Sequence, residues 1–491
     1  MLFSWWKRNV ALNTFAYTSF ILGLASTITG TYVTYQLQHI GFLIGTDLDG
    51  GSCLTYCIVP WGGKRLDLNS VLLYLSAMQT GLGGFVAIFV VAYADFWKHK
   101  SLLLPIFMVV YGALGIPSYW LTAPTLANFN TLFAIFVVYG VITVIFMALL
   151  NVYIPHYMRS ANESVSASPS MQRKMGFVIS SIGMVFSNIS GVIMLGVIAL
   201  LSAYLPTAEQ QSAGLLVTTI VGFITVVAAL GSYLGLPTLP ARAPPADDGP
   251  LWKSAVLELL TPFRKLLHAP NMLILLLAYT IYTDTQFALI SIINQLFFVT
   301  LAPNTLEYTL FTLAGQAFVI IATLALVWVQ RVWGKKLNLE RCLLVGYAML
   351  LVVPVWCCIG MSHQNAFGNK HRWEFYVQQL LMNTSSAIVN VVFRILYAEF
   401  IPAGEEVMWY GLQIVVSCAT TWVTYVATGP LQNATHDLRF PVVLCLVFLA
   451  FPVALEVVRV TVPRFRKAEK SEVLEDAQKT KTSEESTCNY Y

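Results

Sequence analysis

The 491-residue chain is 57% hydrophobic and 11% charged, with a mean hydropathy of +0.69, whereas a soluble domain is about half apolar and a quarter charged. That balance needs lipid and excludes a soluble enzyme, and a net charge of +4 is too small for a nucleic-acid binder. At roughly 20 residues per helical crossing there is room for a dozen spans, and no long polar block remains for a separate catalytic domain.

In chain order, MLFSWWKRNV places Lys7 and Arg8 before an apolar run too long for a signal peptide, and no small-residue cleavage site follows. It reads as a short cytosolic lead into a first anchor. Apolar runs then recur at 11–37, 70–94, 101–121, 130–154, 175–204, 213–235, 271–299, 307–331, 341–361, 376–401, 408–428 and 439–460. Because they are continuous and do not alternate, they predict helices and exclude barrel strands. The expected fold is an all-α polytopic membrane protein with twelve transmembrane helices.

Lys and Arg placement orients those helices. With the N-terminus cytosolic, only Lys64, Arg65, Lys370, Arg372 and Arg439 of the 28 basic residues fall in the lumen, and Arg394 falls inside a span. The remaining 22 are cytosolic, which predicts both termini on that side.

The long loop at 236–270 divides the spans six and six. Its first part, LPTLPARAPPADDGP, reads as a Pro-rich linker, and LWKSAVLELLTPFRKLLH reads as a helix on the bilayer surface. The predicted organisation is a six-helix bundle over 1–235, this cytosolic connector, a second six-helix bundle over 271–462, and a polar, disordered cytosolic tail over 463–491. A shift of 237 positions lays Lys98 on Lys335 and Pro117 on Pro354, as an internal duplication requires.

An ionisable side chain inside hydrocarbon is costly and points to function. Asp284, near the middle of the seventh run, is the first candidate for a substrate or proton site. Gln286, Asn294 and Gln295 extend the polarity of that run, and Asn390 is an intramembrane amide of the tenth. Arg394 and Glu399 stand near the cytosolic end of the tenth run, five residues apart, a spacing that sends them to different partners and suits a gate. Asp95, before FWKHK, can latch and release basic loop residues. Cys53 and Cys57 share a polar loop assigned to the lumen, where an oxidised pair can persist; the sequence leaves their state open. There is no phosphate loop, HExxH, GxSxG or Cys/His cluster of metal spacing, so neither a metal nor a cofactor nor an enzyme activity is expected.

FRILYAEFIPAGEEVMWYGLQ, TGPL and ATHDLRFP, TIYTDTQFALI around Asp284, VAYADFWKHKSLLL around Asp95 and CIVPWGGKRLDLNSVLLYL together resemble the fungal autophagy-related protein 22-like family. Thr285 stands where that family usually has Gly, and ALNTFAYTSFILGLA departs from its aromatic-and-acidic opening. The resemblance implies a major facilitator fold, a vacuolar membrane, and export of amino acids, including leucine, from lumen to cytosol after autophagic breakdown. A facilitator for another small solute and a non-transporting scaffold or nutrient sensor on the same fold are the alternatives. The partners expected are a small-molecule substrate, amino acids in particular, together with protons and the bilayer.

Overall fold

The first apolar run folds as α1 (Val10–Ile44), continuous for 35 residues because no proline or charge interrupts it. This computed structural model describes residues 10–47, 50–53, 57–97, 99–160, 169–204, 213–239, 263–334, 337–362, 364–401 and 406–462. After α1 come a hairpin of β1 (Ile58–Trp61) and β2 (Lys64–Asp67), then α2 (Leu68–Phe96), α3 (Leu103–Gly115), α4 (Leu126–Asn151), short α5 (Tyr153–Ser160), α6 (Pro169–Tyr204) and α7 (Ala213–Gly235). The second half holds α8 (Pro270–Leu301), α9 (Thr305–Trp333), α10 (Leu339–Ile359), α11 (Arg372–Phe400), α12 (Glu406–Thr435) and α13 (Arg439–Thr461). The expected tail and most of the expected connector helix lie outside the described residues; its end, 263–268, is helical.

Among the described residues, eleven helices are long and apolar enough to cross a membrane. The long helix outside that set is α12, which occupies the eleventh expected run and carries Ser417, Thr420, Thr424 and Thr428 through its length. Large apolar side chains stand outward, among them Val227 at 75%, Leu234 at 73% and Trp328 at 64% exposure. Such a surface is stable only against lipid.

With apolar lipid outside and apolar side chains inside, the helices are held by close packing and hydrogen bonds. A Cβ on Gly23 of α1 would lie 2.0 Å from the Ser187 carbonyl oxygen of α6, and one on Gly112 of α3 would lie 2.5 Å from that of Gly222 in α7. Across α1 and α7, Thr18 and Ser232 share a 2.9 Å hydroxyl bond, and the Tyr17 hydroxyl donates to the Ala228 carbonyl at 3.2 Å. Gly23→Val must therefore push α1 from α6. A cost of about 1–3 kcal/mol is expected, read as a lowered melting midpoint of the purified protein; an unchanged midpoint would contradict this packing.

Within the first half, α1 packs on α6 and α7, α2 on α4, and α3 on α7; within the second, α8 packs on α12 and α13, and α10 on α11 and α13. The halves meet along α2 with α12 and along α6 with α9 and α11. One end of the helices, the terminal face, carries the start of α1 and the end of α13. The other, the hairpin face, carries β1 and β2, which pair antiparallel from Ile58 opposite Asp67 to Trp61 opposite Lys64. Gly62 and Gly63 turn that hairpin at φ of 58° and 75°, as a two-residue loop between twisted strands requires. Cys53 and Cys57 are joined by a disulfide at its base.

A second element of the hairpin face is built around Glu374, buried in the first turn of α11. One carboxylate oxygen accepts from Trp356 Nε1 at 2.9 Å, Gly368 N at 2.7 Å and Asn369 N at 2.8 Å. The other accepts from Lys370 N at 3.2 Å and His371 N at 3.0 Å. Behind it, Asn369 and Gln378 exchange amide bonds of 2.9 and 2.6 Å.

Candidate functional site

Polar side chains that join helices of the second half fall into layers. In the first, Asp284, 2% exposed, stands mid-way along α8 and faces α12. Its carboxylate accepts from Ser417 Oγ at 2.9 Å and, through the other oxygen, from Thr420 Oγ1. Ser417 and Thr420 are three apart, so one face of α12 delivers both hydroxyls. Toward the terminal face, Tyr279 of α8 donates its hydroxyl to Asn390 Oδ1 of α11 at 2.8 Å and stacks on Phe393. Asn390 is held by donating to the Ser386 carbonyl at 2.9 Å. Arg394, half-buried one turn further along α11, and Asp284 both lie within electrostatic reach of Tyr279.

The second layer lies about 15 Å toward the hairpin face, ten residues of helical rise from Asp284 to Asn294. There Gln379 of α11 donates to Asn294 Oδ1 at 3.3 Å and accepts from Asn383 at 2.7 Å. A Cβ on Gly315 of α9 would stand 3.0 Å from both amides of α11.

The sequence candidates thus separate. Asp284, Asn390 and Arg394 share one layer and Asn294 belongs to the other. Gln286 is buried two residues beyond Asp284, pointing to a different side of α8. Gln295 donates to Ser291 at 3.3 Å, and its Oε1 is buried without a hydrogen-bond partner. Asp95 ends α2, and its side chain lies outside the described residues. Tyr279, Ser417, Thr420 and Gln379 were not singled out by sequence; SCATT within an apolar run and Tyr279 in the same segment as Asp284 were the available signals.

Both ends of the seam between the halves are bridged. At the terminal face, Arg173 of α6 pairs with Glu399 of α11, Nε to Oε1 at 2.5 Å and Nη2 to Oε2 at 2.8 Å. At the hairpin face Ser70 Oγ of α2 donates to the Gly429 carbonyl of α12 at 3.1 Å, and Tyr35 of α1 shares a 2.9 Å bond with Thr305 of α9. Asp67 N donates to Asn433 Oδ1 at 3.4 Å.

The Asp67 side chain caps α2, accepting from Asn69 N at 2.7 Å and Ser70 N at 3.3 Å. Burial pushes its carboxyl up from the usual range, against those two N–H donors and the charge of His436, which pull it down. A raised carboxyl pKa in the closed seam means that the closed form binds more protons than the open one. Closure of this face is therefore strengthened as pH falls and weakened as pH rises through the raised value. Hydrogen exchange in 66–74 and 429–436, corrected for intrinsic rates, is expected to show more protection at acidic pH. In Asp67→Asn that dependence should vanish; its persistence would assign it elsewhere.

Two helical halves that meet along α2 with α12 and along α6 with α9, the second holding the buried polar layers, make up a polytopic membrane protein of the major facilitator fold. The same fold is found in the human organic anion transporter MFSD10, at a TM-score of 0.56 and 14% identity over 91% of this chain and 99% of that one. It also recurs in the E. coli xylose transporter XylE, at 0.59 and 10% identity over 92% and 97% of the two chains.

Within that class the chain belongs to the family described as vacuole effluxer Atg22 like, whose model matches residues 3–470. Autophagy-related protein 22 of Candida albicans is 26% identical over 450 residues, 89% of this chain and 86% of that protein. Its counterpart in Cryptococcus neoformans is 24% identical over 206 residues, 40% and 37% of the two chains.

Proposed function

We propose that this protein is a secondary transporter that exports neutral amino acids, leucine among them, from the vacuolar lumen to the cytosol during autophagic recycling. The family's description as vacuole effluxers supports the direction, and the excess of Lys and Arg on the terminal face supports placing both chain ends in the cytosol. The observation that carries the substrate class is the first polar layer, where Asp284 on α8 lies one Tyr279 away from Asn390 and Arg394 on α11. A zwitterion carries both signs. Its ammonium group suits Asp284, its carboxylate suits Arg394 and the Asn390 amide, and a proton on Asp284 can replace the ammonium on the return step.

In this reading residues 1–235 and 271–462 are the two rocking bundles and 236–270 their cytosolic connector. Release of Arg173 from Glu399 opens the site to the cytosol, and parting of α2 from α12 opens it to the lumen. Asp95 would act beside the cytosolic gate, with Gln286, Asn294 and Gln295 tuning the path toward the lumen. Counterflow in liposomes of the purified protein is the test: labelled leucine should exchange, while sugars and dipeptides should not. Flux of another solute alone would overturn the substrate, and no flux of any solute would favour a scaffold or sensor.

The gate makes its own prediction. Arg173 and Glu399 are 52% and 23% exposed, so their pair contributes at most about 1 kcal/mol to stability. Arg173→Glu should change the exchange rate severalfold with little change in melting midpoint, and the swap Arg173→Glu/Glu399→Arg should restore it. A double variant no better than the single one would remove the pair from the gate.

A further inference from the structure

A cavity of about 530 Å³ opens sideways between α9, α10 and α11 at the terminal face, away from the polar layers. Its walls are apolar, with Leu326, Trp333, Val345 and Ile388 among them, and its polar groups are Asn338 and Arg341. The volume lies in the range of about 300–1,000 Å³ that encloses a small ligand. The groove follows α9 from Leu326 to Trp333, about 10 Å of helical rise. Trp333 and Val345 are 58% and 55% exposed, so the groove opens toward the surface that faces lipid.

Arg341 stands in its lining, and by sequence the segment RVWGKKLNLER that joins α9 to α10 carries four basic residues against one acid, Glu340. Glu340 lies within electrostatic reach of Arg459 and Glu456, a buried pair at the end of α13, 2.8 Å apart. Among the described residues neither Arg331 nor Arg341 forms an ion pair. An apolar slot in the bilayer with an unpaired guanidinium group at the headgroup level is complementary to an anionic phospholipid. An acyl chain fills the slot and the phosphate meets Arg341.

We infer that the groove between α9 and α10 is a binding site for an anionic phospholipid of the leaflet at the terminal face, its headgroup held by Arg341. The inference rests on the fold and not on the transport reading, so a chain that moves no amino acid can still satisfy it. The test is native mass spectrometry of the full-length protein in mild detergent with equal amounts of phosphatidylserine or phosphatidylcholine. Wild type is expected to retain phosphatidylserine at least about threefold over phosphatidylcholine. Arg341→Gln should erase that preference, Arg341→Lys should keep most of it, and Val345→Trp, which fills the slot without changing charge, should lower retention at least twofold. Equal retention of the two lipids by wild type overturns the site. So does a preference that survives Arg341→Gln, and so does one that Val345→Trp leaves untouched, which would place the lipid on the basic surface and outside the groove.

Discussion

Asparagine at position 284 is expected to lower leucine counterflow at least tenfold and to flatten its dependence on pH, with the melting midpoint within a few degrees of wild type. The substitution keeps the shape of the side chain and one carbonyl oxygen to accept from Ser417 Oγ, a 2.9 Å bond in the native protein. The new amide nitrogen faces Thr420, whose hydroxyl can rotate to accept, because it also reaches the Val416 and Ser417 carbonyls at 3.2 and 3.1 Å. Removing a mid-span charge does not hinder insertion, since a carboxylate there costs about 2.5–3.5 kcal/mol. What disappears is the negative charge that the substrate ammonium or a proton would meet. A tenfold loss is about 1.4 kcal/mol of interaction, modest for a buried charged contact. Ser417→Ala removes one donor and keeps the charge, so a smaller effect is expected. Unchanged flux and unchanged pH dependence in Asp284→Asn would withdraw the residue from the mechanism.

The largest loss of stability is expected from Glu374→Ala. Five N–H groups, from Trp356, Gly368, Asn369, Lys370 and His371, converge on this one carboxylate. Each buried donor left without a partner costs about 1–3 kcal/mol. Even with water reaching the outermost of them, a total of about 3 kcal/mol or more is expected. Gln in the same place keeps one accepting oxygen and should fall between wild type and Ala. Residues 368–371 take their turn from these bonds, with Gly368 and Asn369 held at φ of 112° and 58°, so limited proteolysis should cut there first in the variant. A midpoint equal to wild type would mean that the carboxylate does not organise the turn.

Much of the fold is legible in the sequence, because lipid imposes a simple demand: about 20 apolar residues per crossing, with basic residues left on one side. The hairpin was not legible. Its strands are four residues each, too short for alternation to register, and only Gly62 and Gly63 marked the turn. At the site, Asp284 was legible because a carboxylate in hydrocarbon stands out.

The hydroxyls that hold it were not. Thr280, Thr309 and Thr323 all donate to a carbonyl four residues back in their own helix, so a span threonine carries no signal of a distant partner. Ser417 and Thr420 look the same in sequence as these. The pairing of Arg173 with Glu399 joins residues 226 apart, a separation that no local pattern spans. Sequence also grouped Asn294 and Gln295 with Asp284 because all lie in one run; helical rise then puts them three turns away.

The two ends of the seam are fastened by different chemistry, and that difference has a physiological reading. Arg173 and Glu399 form a partly exposed pair, and added salt screens such charges over a Debye length of about 8 Å at physiological strength. At the opposite end the fasteners are neutral hydroxyl, amide and carbonyl groups together with the Asp67 cap, and screening leaves them nearly untouched. In the proposed cycle, ionic strength would therefore act on one end of the seam and acidity on the other. Each compartment could bias the cycle through its own solution conditions, with no messenger passing between them.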